Sequence, residues 1–127
     1  MKRVVILVVA AAMMAACGGS SSGKQDNPEQ VAIDYITAQS KADFKTMKRL
    51  STEMNNIVNV IDKESQAKEY GASRFKYNIE SIEASCYIGC DSDNRLMKII
   101  MQADGMRGSC DLRIQNVNGK WYVAGYE

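Results

Sequence analysis

The chain contains no histidine among its 127 residues. A serine or cysteine nucleophile therefore has no histidine base to activate it, and a metal ion has no imidazole ligand. This absence excludes histidine-dependent nucleophilic catalysis and histidine-ligated zinc. No cofactor is predicted.

The longest apolar run is too short to cross a membrane. Residues 4–16 form an unbroken apolar run of 13 residues, whereas a membrane-spanning helix needs about 20. Behind the basic start Lys2-Arg3, a run of this length is typical of a signal peptide. Residues 14–17 (Met-Ala-Ala-Cys) look like a lipobox, the sequence in which a lipoprotein signal peptidase cleaves just before an acylated cysteine.

The lipobox predicts where the protein lies and how it is anchored there. We expect residues 1–16 to be removed as a lipoprotein signal peptide and Cys17 to carry a thioether-linked diacylglycerol, which anchors the protein to membrane lipid in the cell envelope. An ordinary secretory signal, cleaved before a residue that is not acylated, is the alternative. Gly18 stands where an Asp would retain the protein at the inner membrane, so the outer membrane is favoured if the envelope has both.

The mature chain has no excess of positive charge. Loss of Lys2 and Arg3 leaves 14 basic and 15 acidic residues, a net of −1. A nucleic-acid-binding domain is expected to be basic, so nucleic acid is not a predicted partner. Residues 17–27 are predicted to be the acylated cysteine and a flexible tether, because Gly, Ser and other polar residues follow Cys17. Residues 28–127 suit a single domain.

Three helices are predicted in the first half of the domain. Asn27 and Pro28 supply an N-cap and a first helical residue. A short second helix follows Asp43, and a third begins near Thr52 and ends before Gly71, where a left-handed C-cap is favoured. No Gly or Pro divides the second helix from the third, so one continuous helix is the alternative. The apolar residues of the third helix share one face at helical spacing: Met54, Ile57, Val58 and Ile61.

Alternating apolar residues predict four strands in the second half. The first strand runs from Phe75 to Ile88 with a bulge near Glu80. Turns are predicted over residues 89–94 and 104–108, and Asn118-Gly119 is a strong signal for a type I′ hairpin. Helices followed by an antiparallel meander predict an α+β fold, with the N-terminal helices packed on one face of a curved four-stranded sheet.

Three cysteines remain in the domain, and export makes a disulfide plausible. In a simple meander Cys90 and Cys110 lie near opposite ends of the second strand, too far apart for the Cα separation of about 7 Å that a disulfide requires. A bond between Cys86 and Cys90 is therefore favoured, with Cys110 as a free thiol facing the core. Three reduced or partly oxidised cysteines are the alternative.

No metal site is predicted. The cysteine spacing is not that of a zinc site, and no fourth ligand is evident. The acidic turn at residues 91–94 begins like a calcium loop, but it lacks the Gly and Glu of an EF-hand at the required positions. A solvated turn is the better interpretation.

The chain resembles small bacterial lipoproteins of unknown function whose domain is similar to the nuclear transport factor 2-like, or cystatin-like, superfamily. The resemblance is carried by Pro-Glu-Gln-Val at residues 28–31, by Tyr35, by Ala-Asp-Phe at residues 42–44, and by the closing Val-Asn-Gly-Lys-Trp-Tyr-Val at residues 117–123. It implies a cone-like curved sheet that cradles helices around an apolar pocket. It supplies no catalytic residues.

Apolar and aromatic side chains are the candidates to line such a pocket. The set is Val31, Tyr35, Ile57, Met97, Ile99, Met101 and Trp121. Ordinary core packing is the alternative for them. The ligand would be a small apolar molecule, or the partner would be another envelope protein.

No catalytic residue is predicted. Asp34 and Tyr35 resemble an acid and hydroxyl pair, but neighbouring residues on a helix point about 100° apart. A non-catalytic binding or interaction module is therefore the favoured function. The alternatives are an enzyme acting on a small apolar molecule, and an assembly subunit that forms a homodimer. Its open sheet face would carry Leu96 and Ile100, or Tyr122 and Tyr126.

Overall fold

The computed structural model describes residues 25–127. The predicted signal peptide, Cys17 and most of the predicted tether lie outside the described residues. Within residues 25–127, no helix combines the length and the apolar character needed to span a bilayer.

The first two helices begin at side-chain caps. Helix α1 is Pro28–Ser40, and the Asn27 side chain accepts a hydrogen bond from the Gln30 amide at its start, at 3.1 Å. Helix α2 is Phe44–Arg49, and the Asp43 carboxylate accepts from the Thr46 amide, at 3.2 Å. Such caps satisfy amide donors that have no partner inside the helix.

The third helix, α3, changes its winding along its length. It begins with the α-helical turn Glu53–Asn55, continues as the π-helical segment Asn56–Val60 and ends with the α-helical segment Ile61–Tyr70. Gly71 closes it with φ 99°, a conformation that glycine adopts without steric cost. A 3-10 turn, Ala72–Phe75, follows.

Four antiparallel strands complete the fold in sequential order. They are β1 (Ile79–Ile88), β2 (Asn94–Ala103), β3 (Met106–Val117) and β4 (Lys120–Tyr126). The prediction of an α+β chain with helices followed by an antiparallel meander is confirmed. The bulge predicted near Glu80 is present as a register shift at the start of β1.

Two strand boundaries differ from the prediction. The first strand begins at Ile79 and not at Phe75, because Phe75 belongs to the 3-10 turn and the Tyr77 amide donates to the Ser40 carbonyl at the end of α1, at 3.0 Å. The turn predicted over residues 104–108 contains only Asp104 and Gly105. Their φ angles are 50° and 79°, as a two-residue type I′ hairpin requires.

The core lies between α1 and one face of the sheet. Six of the seven predicted pocket residues belong to this core or pack against it. The α1 side chains among the core residues have almost no exposed surface. Five are buried in the core: Val31, Tyr35, Met97, Ile99 and Trp121. Met101 is half-buried and packs against them.

Two segments of the N-terminal half, at Gln25 and at residues 50–52, pair with the outer edge of β4. The Val123 amide donates to the Leu50 carbonyl at 2.7 Å, and the Thr52 amide donates to the Val123 carbonyl at 2.9 Å. Two residues earlier on β4, the Trp121 amide donates to the Gln25 carbonyl at 2.6 Å, and Gln25 Nε2 donates back to the Trp121 carbonyl at 2.9 Å. These bonds separate α2 from α3 and fix Gln25, within the predicted tether, to the domain.

Candidate functional site

The predicted apolar face of α3 lies in solvent. We call its four residues the α3 face, and their side chains are between about half and two-thirds exposed: Met54 65%, Ile57 59%, Val58 58% and Ile61 46%. Four neighbouring exposed side chains of this size form a contiguous apolar patch, which is a feature of binding surfaces.

The prediction that Ile57 lines a space between the helices and the sheet is therefore wrong. Ile57 lies on the outer side of α3, and the inner side is occupied by Asn55, Val60 and Ala67, which are buried. Asn55 and Val60 are five residues apart, so the π-helical turn between them places both towards the core.

A buried amide determines which side of α3 faces inward. Asn55 Nδ2 donates to the Tyr35 hydroxyl at 3.1 Å and to Ser51 Oγ at 2.9 Å. Asn55 Oδ1 accepts from Asn59 Nδ2 at 2.7 Å. A buried amide without partners is costly, so the position that satisfies Asn55 turns the apolar residues of α3 outward.

A cleft lies where α3 meets the end of β4. We call it the β4 cleft; its volume is about 210 Å³. Its lining consists of Met54, Asn55, Val58, Asn59, Arg113, Ala124, Gly125 and Tyr126. A register shift between β3 and β4 leaves Ala124 without a partner in the ladder, and a bulge of this kind bends the strand away from regular pairing.

The polar groups of the β4 cleft are a guanidinium and three neutral side chains. Of the described residues that line it, only Arg113 carries a charge. Arg113 Nε lies 3.4 Å from Glu127 Oε1, and both side chains are more than half exposed. Gly125 allows the guanidinium to approach, since a Cβ there would lie 3.1 Å from Arg113 Nη2.

Tyr126 lines the β4 cleft, and its hydroxyl and ring connect the cleft to two tyrosines that are not part of the lining, Tyr35 and Tyr77. The Tyr126 hydroxyl donates to Gln39 Oε1, and Gln39 Nε2 donates to the Tyr77 hydroxyl at 3.2 Å. The rings of Tyr35 and Tyr126 meet edge to face, with centroids 6.4 Å apart. Burial raises the pKa of both Tyr35 and Tyr126 above the ordinary value of 10.0, so these phenols are neutral donors and acceptors at physiological pH.

Asp34, the carboxyl group considered with Tyr35, does not line the β4 cleft. Burial raises its pKa above 3.8, while a hydrogen bond from Gln30 and the charge of Arg49 lower it. Gln30 Nε2 donates to Asp34 Oδ1 at 2.8 Å on the outer side of α1. The structure does not bring this carboxyl and the Tyr35 hydroxyl into one site.

The two disulfide-bonded cysteines lie at the opposite edge of the sheet from the β4 cleft. Cys86 and Cys90 form a disulfide with Cα atoms 5.7 Å apart, the pair that the strand spacing favoured. Cys110 is a free, half-buried thiol whose pKa is raised by burial. The part of the chain that the structure describes contains no group of three or more Cys, Asp or Glu side chains able to hold a metal ion.

The outer face of the sheet has a polar centre. Lys98 Nζ lies 3.1 Å from Asp111 Oδ1, and the Tyr87 hydroxyl donates to Asp111 Oδ2 at 2.7 Å. Leu96 is half-buried beside them. Tyr126, considered for this face, points inward to Gln39 instead, so the apolar surface there is smaller than the dimerisation hypothesis assumed.

Sequence reasoning did not select Asn55, Asn59 or Arg113. Asn55 and Asn59 are four residues apart, so they lie on one side of a helix whose other side is apolar. That amide pair is the signal that could have indicated a polar inner side. Arg113 gives no such signal, because its place at the cleft depends on a register shift and on the glycine across from it.

No protein-family model, no curated protein and no solved structure matches the chain. The resemblance to nuclear transport factor 2-like lipoproteins thus stays a prediction. The function is inferred from the β4 cleft and the α3 face.

Proposed function

We propose that the chain is a lipid-anchored lipoprotein of the cell envelope whose α+β domain acts by binding and not by catalysis. The observation that carries this proposal is the composition of the β4 cleft. It combines the apolar side chains of Met54 and Val58 with two amides, a phenol and a guanidinium. Apolar walls with a few oriented polar groups are typical of binding sites.

The protonation states in the β4 cleft support binding. A general acid or base works best when its pKa lies near the operating pH. Tyr126 has its pKa raised by burial. This phenol does not exchange a proton readily at neutral pH, whereas its hydroxyl can hold a polar group in place.

The size and charge of the cleft define the chemical class of its ligand. Its volume of about 210 Å³ is below the roughly 300–1,000 Å³ of most small-molecule sites. It therefore suits a short apolar group with an anionic or amide end, either a small amphiphile or part of a larger molecule. Arg113 would contact the anionic end, and Met54 and Val58 would contact the apolar part.

The anchor and the cone-like fold belong to the same proposal. The lipobox supports acylation of Cys17. The three register shifts in the sheet support a curved, cystatin-like sheet, because bulges increase bending and twist.

Titration with octanoate, a short apolar chain with a carboxylate, tests the binding function. Amide chemical shifts of the mature chain should change at Asn55, Asn59 and Gly125. Arg113→Gln should weaken binding about tenfold or more, since a hydrogen bond to a charged group contributes about 1.5–3 kcal/mol. Arg107→Gln, at an exposed position far along β3, is the matched control. An equal loss of octanoate affinity in both variants would contradict the proposal, as would chemical-shift changes confined to residues outside the cleft.

The anchor has its own test. Mass spectrometry of the protein isolated from envelopes should find a mature N-terminus at an acylated Cys17, and Cys17→Ser should release the protein from the membrane. An intact Met1, or an unmodified Cys17 in a membrane-bound protein, would contradict the anchor.

A further inference from the structure

We propose that the α3 face and the basic helix α2 rest on the phospholipid surface to which the protein is anchored, so that the β1 edge points away from the membrane. This inference rests on the proposed lipid anchor at Cys17. It assigns a partner, the bilayer interface, to the apolar surface of α3, and it gives the domain a fixed orientation. Met54 and Val58 also line the β4 cleft, so this orientation places the cleft at the membrane surface, from which an amphiphilic ligand would enter it.

The anchored chain reaches the domain beside α3. Gln25 pairs with Trp121, and Thr52, the residue before α3, pairs with Val123 on the same edge of β4. Two residues along a strand correspond to about 7 Å. The start of α3 and the point where the anchoring segment joins the domain therefore lie on one side of the molecule.

The length of the anchoring segment keeps that side near the bilayer. Cys17 and Gln25 are eight residues apart in the sequence, which corresponds to at most roughly 29 Å when fully extended. Because Gln25 is held on β4, the segment cannot lengthen by releasing more chain from the domain. A short link of this kind gives the α3 face a high effective concentration at the membrane surface.

The charge distribution favours the same orientation. Residues 41–49, which include α2, carry four basic residues and one acidic residue, a net of +3, and the salt bridge from Lys48 to Glu64 offsets one of these charges. Residues 79–94, which form the β1 edge and the following turn, carry four acidic residues and no basic residue, a net of −4. Basic side chains are attracted to anionic lipid headgroups, and acidic ones are repelled. The sheet separates the two regions, because β1 and β4 are its opposite edges.

Helices α2 and α3 are fixed to each other, so they can contact the membrane together. Lys48 Nζ lies 2.7 Å from Glu64 Oε1, and Asn56 Nδ2 donates to the Lys48 carbonyl at 3.2 Å. Residues 53–70 of α3 carry four acidic and two basic residues, a net of −2, so α3 itself is not attracted to anionic lipid. Its contribution is the burial of apolar side chains among headgroups and acyl chains, as in helices that lie in the membrane interface.

The size of the α3 face argues against a second copy as its partner. Its four exposed side chains form a patch of a few hundred Å², whereas each partner in a stable protein interface buries about 800 Å². A protein held at the membrane by an acyl anchor needs no such area, because the anchor already supplies most of the membrane affinity.

Depth-dependent fluorescence quenching tests the proposal. The lipidated chain with Cys110→Ala receives one reactive thiol, by Val58→Cys on the α3 face or by Ser81→Cys on β1, away from the disulfide. Both positions are exposed. Each variant is labelled with a nitrobenzoxadiazole probe and placed in phosphatidylcholine vesicles that contain spin-labelled lipid. The label at position 58 should be quenched at least several-fold more than the label at position 81.

A charge variant tests the contribution of α2. Lys41→Glu with Lys45→Glu should lower the quenching at position 58 by at least twofold in vesicles that contain phosphatidylglycerol, and less in pure phosphatidylcholine. An equal effect in both lipids would contradict the electrostatic part of the proposal.

The outcomes separate this inference from the anchor. Vesicle flotation with equal quenching at both positions would overturn the orientation and leave the anchor intact. A chain that does not float with the vesicles would overturn the anchor and the inference together. Protection of the label at position 58 from solvent that rises with protein concentration, without quenching by spin-labelled lipid, would show that a second copy covers the α3 face. That result would also overturn the inference.

Discussion

Helices α1 and α3 carry similar apolar patterns, yet only α1 buries its pattern. In α1 the apolar side chains at helical spacing, Val31, Tyr35 and Ala38, have no more than 5% exposed surface. In α3 the equivalent set is the α3 face, which is about half to two-thirds exposed. The core-facing side of α3 instead contains an asparagine with hydrogen-bond partners on α1 and before α3.

The difference shows what helical spacing can establish. Spacing identifies the residues that share a face, because it depends only on the geometry of the helix. It does not identify what covers that face. In α3 the side that faces the core carries Asn55 with its hydrogen-bond partners in place, while four apolar side chains stay exposed, and the π-helical turn adjusts the spacing so that Val60 is also buried.

The largest effect we expect comes from truncating equivalent isoleucines on the two helices. Ile36→Ala on α1 should lower the free energy of unfolding by about 3 kcal/mol, because it removes buried methyl groups and leaves a cavity. Ile57→Ala on α3 should change it by no more than about 0.5 kcal/mol, as exposed substitutions usually do. Urea denaturation measures both. Similar losses for the two variants would show that α3 is packed as α1 is.

A smaller loss is expected when the amide that orients α3 is removed. Asn55→Ala removes the hydrogen bonds that Asn55 makes with the Tyr35 hydroxyl, Ser51 Oγ and the Asn59 amide, and we expect the free energy of unfolding to fall by about 2 kcal/mol. The rate at which a thiol reagent modifies a cysteine introduced at position 58 should fall if α3 then turns its apolar face inward. Asn78→Ala, at an exposed position, is the control and should change stability by no more than about 0.5 kcal/mol. A stable Asn55→Ala variant with an unchanged rate of thiol modification would contradict the orienting role.

The smallest effect concerns the phenol beneath α3. The pKa of Tyr126 is raised above 10.0 in the folded protein, so above about pH 10 the unfolded chain loses this proton while the folded protein keeps it. Stability is therefore intact below pH 10 and decreases as the pH rises beyond it. Tyr126→Phe should reduce that decrease by up to about 1.4 kcal/mol per pH unit. Thermal melts between pH 9 and pH 11 measure the slopes, and identical slopes would contradict the burial of the Tyr126 hydroxyl.

The sequence was most informative where local geometry decides the structure. The caps Asn27 and Asp43 and the Asn118-Gly119 hairpin depend on a few adjacent residues, and all are where the pattern predicts them. Asp104-Gly105 carries the same hairpin signal. The prediction extended that turn to Gly108, whereas Gly108 pairs within β3.

The candidate site was less predictable because distant pairings create it. The β4 cleft needs the register shift beside Arg113, the pairing of Thr52 with Val123, and the inward position of Asn55. None of these follows from the spacing of residues within one element. A polar residue such as Asn55 is normally exposed, so only its hydrogen-bond partners explain its burial.

The pairing of Gln25 and Thr52 with β4 has a consequence for the timing of folding. Of the four strands β4 is the last to be synthesised, and the residues that cover its edge are among the first of the domain. Contacts between such distant parts of a chain form slowly. A nascent chain that lacks β4 cannot form these contacts, so we expect the domain to complete its folding only after β4 has been synthesised.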